Sequence, residues 1–245
     1  MTLVQSINIF LVVSFLFIIF KYAETFWSYK ISKPFLWDQG VKNKTISREL
    51  IALQFQTRDK VRFFALWFQV ERLKRNNVKG SFAELGVYKG VTANMLYEMD
   101  RSRTLHLFDT FGGFHDADLA MESDKGGKYN TAEFSDTSVA AVKAYINGGD
   151  ALVFHEGHFP ETAKGLEQET FALVNIDADL YVPTIEGLRF FYPRLAPGGV
   201  IFVHDYNHNW AGARKAIDEF AKTIPEGIVE LPDWQGSILI VKNNV

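Results

Sequence analysis

Short apolar runs alternate with amphipathic segments over the last two thirds of the chain, and this alternation constrains the fold more than any other feature. Five runs have the length and composition of strands, at residues 82–87, 105–108, 151–155, 171–176 and 200–204. Segments with a helical spacing of apolar residues separate them, at residues 91–99, 136–147, 160–168 and 184–195. Such alternation predicts a doubly wound parallel sheet with helices on both faces.

The end of the chain follows a different pattern. A helical segment at 211–222 leads to two short apolar runs, at 228–231 and 237–241, which are separated by the turn-like sequence Pro-Asp-Trp-Gln-Gly. Two strands joined by a short turn pair antiparallel. We therefore predict an α/β fold with a mostly parallel, seven-stranded sheet and an antiparallel closing strand at its edge.

An apolar run at residues 3–20 lies near the amino terminus. As a helix it is about 27 Å long, slightly shorter than the hydrocarbon core of a bilayer is thick. Lys21, Lys30 and Lys33 follow the run and no Lys or Arg precedes it, so the positive-inside rule places the rest of the chain in the cytoplasm. We expect an uncleaved membrane anchor over residues 1–22; a signal peptide, or a helix packed on a cytoplasmic domain, is the alternative.

Residues 23–46 mix aromatic residues, lysines and one proline and are predicted to be a connector. Residues 47–245 have the length of one α/β domain. Its first part, 47–78, has helical spacing with a polar break near 56–60 and is predicted to form a pair of capping helices.

Composition limits the possible partners. A formal net charge of −3 without a polybasic block gives no electrostatic footprint for nucleic acid. We therefore expect a small-molecule acceptor and no nucleic acid, and oligomerisation is left open. The absence of cysteine excludes disulfides, thiolate metal ligands and a cysteine nucleophile.

Two carboxylates, Asp177 and Asp179, follow the apolar run at 171–176. If the extended geometry continues through them, both side chains point to the same face. Two like charges at this separation need a cation, a proton or abundant water. This stretch alone therefore leaves a metal or acid/base site and a solvated strand end as equal alternatives.

The next run ends in His204 and Asp205. Parallel neighbouring strands bring these side chains to the same rim as Asp177 and Asp179, in the crevice where open α/β sheets bind ligands. Oxygen-rich ligands suit Mg²⁺, Ca²⁺ or Mn²⁺, with His204 as an additional ligand or an outer-shell partner. Aromatic residues near the rim line an acceptor pocket or pack in the core: Phe111, Tyr181, Tyr206 and Trp210.

A turn that contains Gly86 and Gly90 follows the first run and precedes a helix. Glycines here let the backbone turn tightly and approach a ligand. The G-x-G-x-x-G spacing is missing, and Glu84 places a negative charge where a pyrophosphate would lie. The turn therefore favours an uncharged or cationic nucleotide-like ligand, or it serves only to reverse the chain.

Asp109 follows the second run, where open α/β sheets usually have the acceptor for ribose hydroxyls. After the third run, Gly157 permits close approach of a flat ring, and Glu156 or His158 can bond to the edge of that ring. We expect His155 and His158 to be structural residues more often than metal ligands.

Four ordered motifs and a short fifth one resemble the macrocin O-methyltransferase family of the TylF type. They are AELGVYKG at 83–90, HLFDTFGGF at 106–114, IDADLY at 176–181, YPRLAPGG at 192–199 and HDY at 204–206. The resemblance covers about residues 47–242. It implies a class I, Rossmann-like methyltransferase that binds S-adenosylmethionine and uses Mg²⁺ to methylate hydroxyl groups, notably on sugars of natural products.

The resemblance also implies roles for individual residues. The methionine end of S-adenosylmethionine is implied to be held by Glu84, Gly86 and Gly90. Its ribose is implied to be bound by Asp109, and its adenine to lie beside the loop at Glu156 and Gly157. Asp177 and Asp205 are implied to be metal ligands, and Asp179 the general base. The family usually has two acids after the fifth strand, whereas the first of these positions is His204 here.

The apolar amino terminus is foreign to the soluble enzymes of this family, so we expect an acceptor such as a sugar or a glycolipid rather than their own substrates. Two other functions stay open. One is an N-methylating or hydroxylase-type enzyme that uses the same donor, and the other is a non-catalytic donor-binding module.

Overall fold

A computed structural model of the chain describes residues 2–28, 33–122, 129–209 and 211–243. Lys30 and Trp210, which entered the predictions above, lie outside these residues. The chain divides into two compact units, Met1–Ile51 and Ala52–Val245.

The first unit contains two helices and the start of a third. Helix α1 (Leu3–Ser28) includes a candidate membrane span at Leu3–Glu24, and no part of its most apolar window is buried. A helix with apolar residues all round and this length can cross a bilayer. Helix α2 (Phe35–Lys42) follows, and its end is closed by a hydrogen bond of 2.8 Å from the Asn43 amide to the Gln39 carbonyl.

The second unit is built around a seven-stranded sheet with the order β3-β2-β1-β4-β5-β7-β6. Its strands are β1 (Ser81–Leu85), β2 (Leu105–Asp109), β3 (Leu152–Glu156), β4 (Phe171–Ile176), β5 (Leu195–Val203), β6 (Val229–Glu230) and β7 (Ile238–Val241). Strands β1 to β5 are parallel, whereas β7 is antiparallel to both β5 and β6. The predicted fold is confirmed, but the antiparallel strand lies inside the sheet and not at its edge.

Helices connect and cover the strands. They are α3 (Arg48–Gln56), α4 (Lys60–Arg75), α5 (Val91–Met99), α6 (Asp116–Met121), α7 (Val139–Ile146), α8 (Tyr181–Phe191) and α9 (Ala211–Ala221). Helices α3 and α4 lie where the helical spacing predicts a pair, and Asp59 caps α4 by accepting a hydrogen bond from the Arg62 amide. All six residues of β4, the central strand, are buried, and the core is densest around this strand and α8.

Two predicted boundaries are wrong. Residues 160–168 contain only a 3₁₀ turn at Glu161–Ala163, because Gly165 adopts a left-handed conformation (φ +91°) that ends any helix there. Strand β5 begins at Leu195 and not at residue 200. Its first residues include a Pro-Gly-Gly sequence, which has the composition of a turn, and the register with β4 shifts there, between Leu195 and Val200.

Gly86 joins the turn after β1 to the end of β4. Its φ is +87°, and a Cβ atom there would lie 1.9 Å from the Asp177 carbonyl oxygen. The main chain is tied on both sides of this contact, because the Asp177 amide donates to the Leu85 carbonyl at 2.8 Å and the Gly86 amide to the Phe108 carbonyl at 2.9 Å. Only glycine allows three strand ends to meet this closely.

Gly86→Ala is therefore expected to destabilise the fold by about 3 kcal/mol or more, since it adds both an unfavourable φ and a clash with main-chain atoms. Gly165→Ala is the matched control, because its φ of +91° is similar and no atom lies within 4 Å of the new Cβ. Thermal unfolding of the two variants measures the difference. Equal losses of stability would show that the contact with Asp177 does not matter.

Candidate active site

A cavity of about 360 Å³ opens at the carboxyl ends of the central strands. This is the edge of the sheet at which an open parallel fold binds ligands. Seven of the ten predicted site residues line it: Glu84, Gly86, Asp109, Gly157, Asp177, Asp179 and His204. The fold therefore brings most of the predicted residues to one place.

Three predicted residues do not line the cavity. Gly90 lies under α7, where a Cβ atom would be 2.7 Å from a methyl group of Val142, so its small size serves helix packing. Glu156 is exposed at the end of β3. Asp205 is buried behind His204, where its Oδ1 accepts a hydrogen bond of 2.9 Å from Gln235.

Asp109 fixes the glycine-containing turn after β1. Its Oδ2 accepts hydrogen bonds from the amides of Val87 and Tyr88 at 2.7 and 2.8 Å, and its Oδ1 accepts one from the Phe111 amide at 2.7 Å. Charge-assisted bonds of this kind are among the stronger ones in proteins. Asp109 thus positions the turn as well as lining the cavity.

Glu84 is a buried acid with one free oxygen. Its Oε1 accepts a hydrogen bond of 3.0 Å from Asn175, whereas its buried Oε2 has no hydrogen-bond partner among the residues that the structure describes. Burial, and then the nearby charge of Asp177, raise the pKa of Glu84 well above its usual value. A buried carboxylate oxygen without a partner costs free energy, and a cationic group bound in the cavity would remove that cost.

Asp177 is held between two nitrogen groups. Its Oδ2 accepts a hydrogen bond of 2.7 Å from Arg62 Nη2, and its Oδ1 lies 3.0 Å from Nδ1 of His204. Burial alone would raise the pKa of Asp177, but His204 and Arg62 outweigh it and lower the pKa below its usual value. Asp177 is therefore ionised.

Sequence reasoning missed Arg62. It is on α4, 115 residues before Asp177, and it lines the cavity. The only available signal was its position in the helix. Arg62 is next to Phe63 and four residues before Leu66, both of which are fully buried, and an arginine on the buried side of a helix usually has a partner.

His204 makes a second contact with a carboxylate. Its Nδ1 is 3.1 Å from Asp205 Oδ1, and its Nε2 is 3.9 Å from Asp233 Oδ2. Burial lowers the pKa of His204, but Asp177 and Asp205 outweigh it and raise the pKa to about 9. The donor atoms of Asp177, His204 and Asp205 lie within 4.8 Å of one another, so the predicted metal ligands are close together.

Asp179 has a left-handed backbone (φ +60°), as does Asp205 (φ +63°). The extended geometry assumed for Asp177 and Asp179 therefore ends before Asp179, and its side chain reaches the cavity by a sparsely populated conformation. Burial, then the charges of Asp205 and Asp177, raise the pKa of Asp179 well above its usual value. Such a carboxyl group is a stronger base than a solvated aspartate when it is ionised.

The aromatic residues predicted for an acceptor pocket have other positions. Phe111 is buried outside the lining of the cavity, and the hydroxyl groups of Tyr181 and Tyr206 donate to Glu219 and Asp218. The aromatic side chains that do line the cavity are Tyr88, Phe108, Phe114, Phe134 and Phe159. None of the three predicted aromatic residues that the structure describes lines the cavity, and the fourth, Trp210, lies outside the described residues.

The two histidines at the end of β3 differ, His155 lying within the strand and His158 after it. His155 stacks on Phe108 and lies 2.9 Å from His106, so it is structural. His158 lines the cavity and is held at 2.8 Å by both Asp118 and Glu161. Burial lowers the pKa of His158, but these two carboxylates outweigh it and raise the pKa.

Comparisons with known proteins show the family to which the chain is related. A family profile described as macrocin-O-methyltransferase (TylF) matches residues 40–239. The chain is 32% identical to mycinamicin III 3''-O-methyltransferase of Micromonospora griseorubida over 182 residues, which is 68% of this chain and 70% of that protein.

Solved structures show the same fold. The O-methyltransferase NovP superposes with a TM-score of 0.63 at 23% identity over 75% of this chain and 80% of its own. A calicheamicin methyltransferase superposes with a TM-score of 0.56 at 20% identity over 87% and 89% of the two chains.

Proposed function

This chain belongs to the macrocin O-methyltransferase family, and we propose that it transfers a methyl group from S-adenosylmethionine to a hydroxyl group of a sugar or other small acceptor. Methyl transfer from S-adenosylmethionine follows from the family and the fold. The nature of the acceptor is the new part of the proposal. The observation that supports it best is one cavity lined by both Glu84, whose buried Oε2 has no hydrogen-bond partner among the described residues, and Asp179, whose pKa burial and the neighbouring acids raise well above its usual value.

Glu84 is the proposed partner of the positively charged methionine part of the donor. The ammonium group of that part would satisfy the free Oε2 and keep Glu84 ionised. Gly86 and the turn held by Asp109 let the main chain approach the donor, and Asp109 is the proposed partner of its ribose. Gly157, which lines the cavity with no large side chain, leaves room for adenine.

Glu84→Gln is expected to weaken S-adenosylmethionine binding about 10- to 100-fold, because a charged hydrogen bond is worth roughly 1.5–3 kcal/mol. Isothermal titration calorimetry with the purified chain measures the dissociation constant. Glu167→Gln, which changes an exposed glutamate, is the control and should leave binding unchanged. Equal affinity of Glu84→Gln and the control would remove Glu84 from the donor site.

Asp179 is the proposed general base. The acceptor oxygen forms a bond to the methyl carbon as the bond from that carbon to sulfur breaks, the hydroxyl proton goes to the Asp179 carboxylate, and the donor leaves as the neutral thioether. A base with a raised pKa takes this proton more readily than a solvated aspartate. The hydroxyl group of a sugar is weakly acidic, so it needs such a base.

The function is tested with labelled S-adenosylmethionine and a panel of nucleotide sugars, glycolipids and small phenols, with and without Mg²⁺. We expect a product whose mass and fragmentation place the methyl group on oxygen. On that acceptor, Asp179→Asn should lower turnover by about 100-fold or more with donor binding intact, whereas Asp116→Asn at an exposed site should have no effect. A product methylated on nitrogen would refute O-methylation, and normal turnover by Asp179→Asn would refute the role of the base.

The resemblance to the family also predicts Mg²⁺ assistance. Asp177, Asp205 and His204 would hold the ion, whose chemistry would be to lower the pKa of the acceptor hydroxyl. As the side chains lie, they do not fit this task, since Asp177 is bonded to Arg62 and the Nδ1 atom of His204 faces only carboxylate oxygens. The mechanism above therefore involves protein groups alone.

We also propose that α1 anchors the enzyme in a membrane, with the catalytic domain in the cytoplasm. The support is the 22-residue span Leu3–Glu24, whose most apolar window has no buried part and whose last turn contains an ion pair between Lys21 and Glu24. A membrane enzyme of this kind would reach acceptors such as glycolipids at the cytoplasmic surface.

Val12→Lys combined with Leu16→Lys is expected to prevent membrane insertion, because each lysine near the centre of a span costs about 2.5–3.5 kcal/mol. Fractionation of cells followed by a carbonate wash measures the share of the full chain in membranes. The apolar exchange Val12→Leu with Leu16→Val is the control and should stay in the pellet. If the lysine variant also stays there, α1 is not the anchor.

A further inference from the structure

We propose that Arg62 is the cation that holds the acceptor oxygen during methyl transfer, and that the enzyme binds no divalent metal at Asp177. This inference rests on the proposed function, because it assigns a partner to the acceptor in the same cavity. It makes Arg62 a catalytic residue, with Asp177 and His204 as its positioning residues.

The first support is the occupation of Asp177. A guanidinium nitrogen of Arg62 is 2.7 Å from one carboxylate oxygen, and a ring nitrogen of His204 is 3.0 Å from the other. A Mg²⁺ ion needs ligand oxygens at about 2.0–2.1 Å. It would lie beside the permanent positive charge of Arg62, so the ion and the arginine compete for the same carboxylate.

The second support is the orientation of His204. Its Nδ1 lies 3.0 Å from Asp177 Oδ1 and 3.1 Å from Asp205 Oδ1, and both of these atoms are acceptors. A ring nitrogen between two carboxylate oxygens has to carry a hydrogen atom. Nδ1, which faces Asp177 and Asp205, then has no lone pair for a metal, and the other ring nitrogen, Nε2, lies 3.9 Å from Asp233 Oδ2. The position where the family has an acid therefore turns a donor toward Asp177.

The third support is that Arg62 is held in place from several sides. Asp59, the cap of α4, accepts the Arg62 amide on Oδ1 at 2.9 Å and the Trp234 amide on Oδ2 at 2.8 Å. The next residue in that loop, Gln235, holds Asp205. One loop between β6 and β7 therefore fixes both the helix that supplies Arg62 and the acid beside His204.

Arg62 can act on the acceptor because it also lines the cavity. Guanidinium has five N–H donors, and Asp177 uses the Nη2 side of the group. The remaining donors can bond to the acceptor oxygen as its proton passes to Asp179, which stabilises the negative charge that develops there. The methyl transfer itself stays as described above, with the thioether as the leaving group.

The test is binding of Mn²⁺, a stand-in for Mg²⁺, to the full chain saturated with S-adenosylhomocysteine and followed by electron paramagnetic resonance. We expect no saturable binding by the wild-type chain at millimolar Mn²⁺. Arg62→Ala combined with His204→Asp removes the competing cation and restores an acid, so it should bind Mn²⁺ at least about ten times more tightly than wild type. Arg75→Ala combined with His208→Asp makes the same two substitutions at exposed residues and should behave as wild type.

The proposal would be overturned if the wild-type chain binds Mn²⁺ saturably and Asp177→Asn abolishes that binding, whatever the result for the double variant. Binding of S-adenosylmethionine to each variant shows that it is folded, and failure of wild type to bind the donor would refute the proposed function instead.

On the acceptor from the panel, turnover should be unchanged by EDTA and should fall about 100-fold in Arg62→Ala. A tenfold or greater rise of wild-type turnover with Mg²⁺ would also overturn the proposal.

Discussion

The close contact between Gly86 and the main chain of Asp177 is the constraint on which the rest of the site depends. It brings the turn after β1 against the end of β4, with space for no Cβ atom between them. Asp109 then fixes the turn from the side of β2 by accepting two of its amides. Three neighbouring strands thus end at one point, and the side chains that follow them share one cavity.

The two halves of this cavity treat their buried charges differently. On the side of β1, Glu84 keeps an oxygen without a partner, so the protein leaves one interaction for a ligand to make. On the side of β4 and β5, the protein itself neutralises Asp177 with Arg62 and His204. S-adenosylmethionine, which carries a positive charge, would suit the first of these environments.

The fold was predictable where the signal is local, and so was the position of seven predicted residues at one cavity. The apolar run that forms β4 and the acids that follow it are adjacent in sequence, so their place at the rim follows from strand geometry. The partner of Asp177 could not be found in this way, because Arg62 comes from a helix far away in the chain and only tertiary packing brings the two together. The left-handed backbone of Asp179 and the absence of a helix after β3 likewise depend on single conformations that periodicity does not encode.

The pairing of Arg62 with Asp177 also has an evolutionary consequence. An acid at position 204 would favour a bound metal, and an arginine on α4 would then oppose that metal. A histidine at the same position leaves Asp177 in need of another cation, which α4 provides. Substitutions at positions 62 and 204 are therefore not independent, since each changes the charge that Asp177 faces.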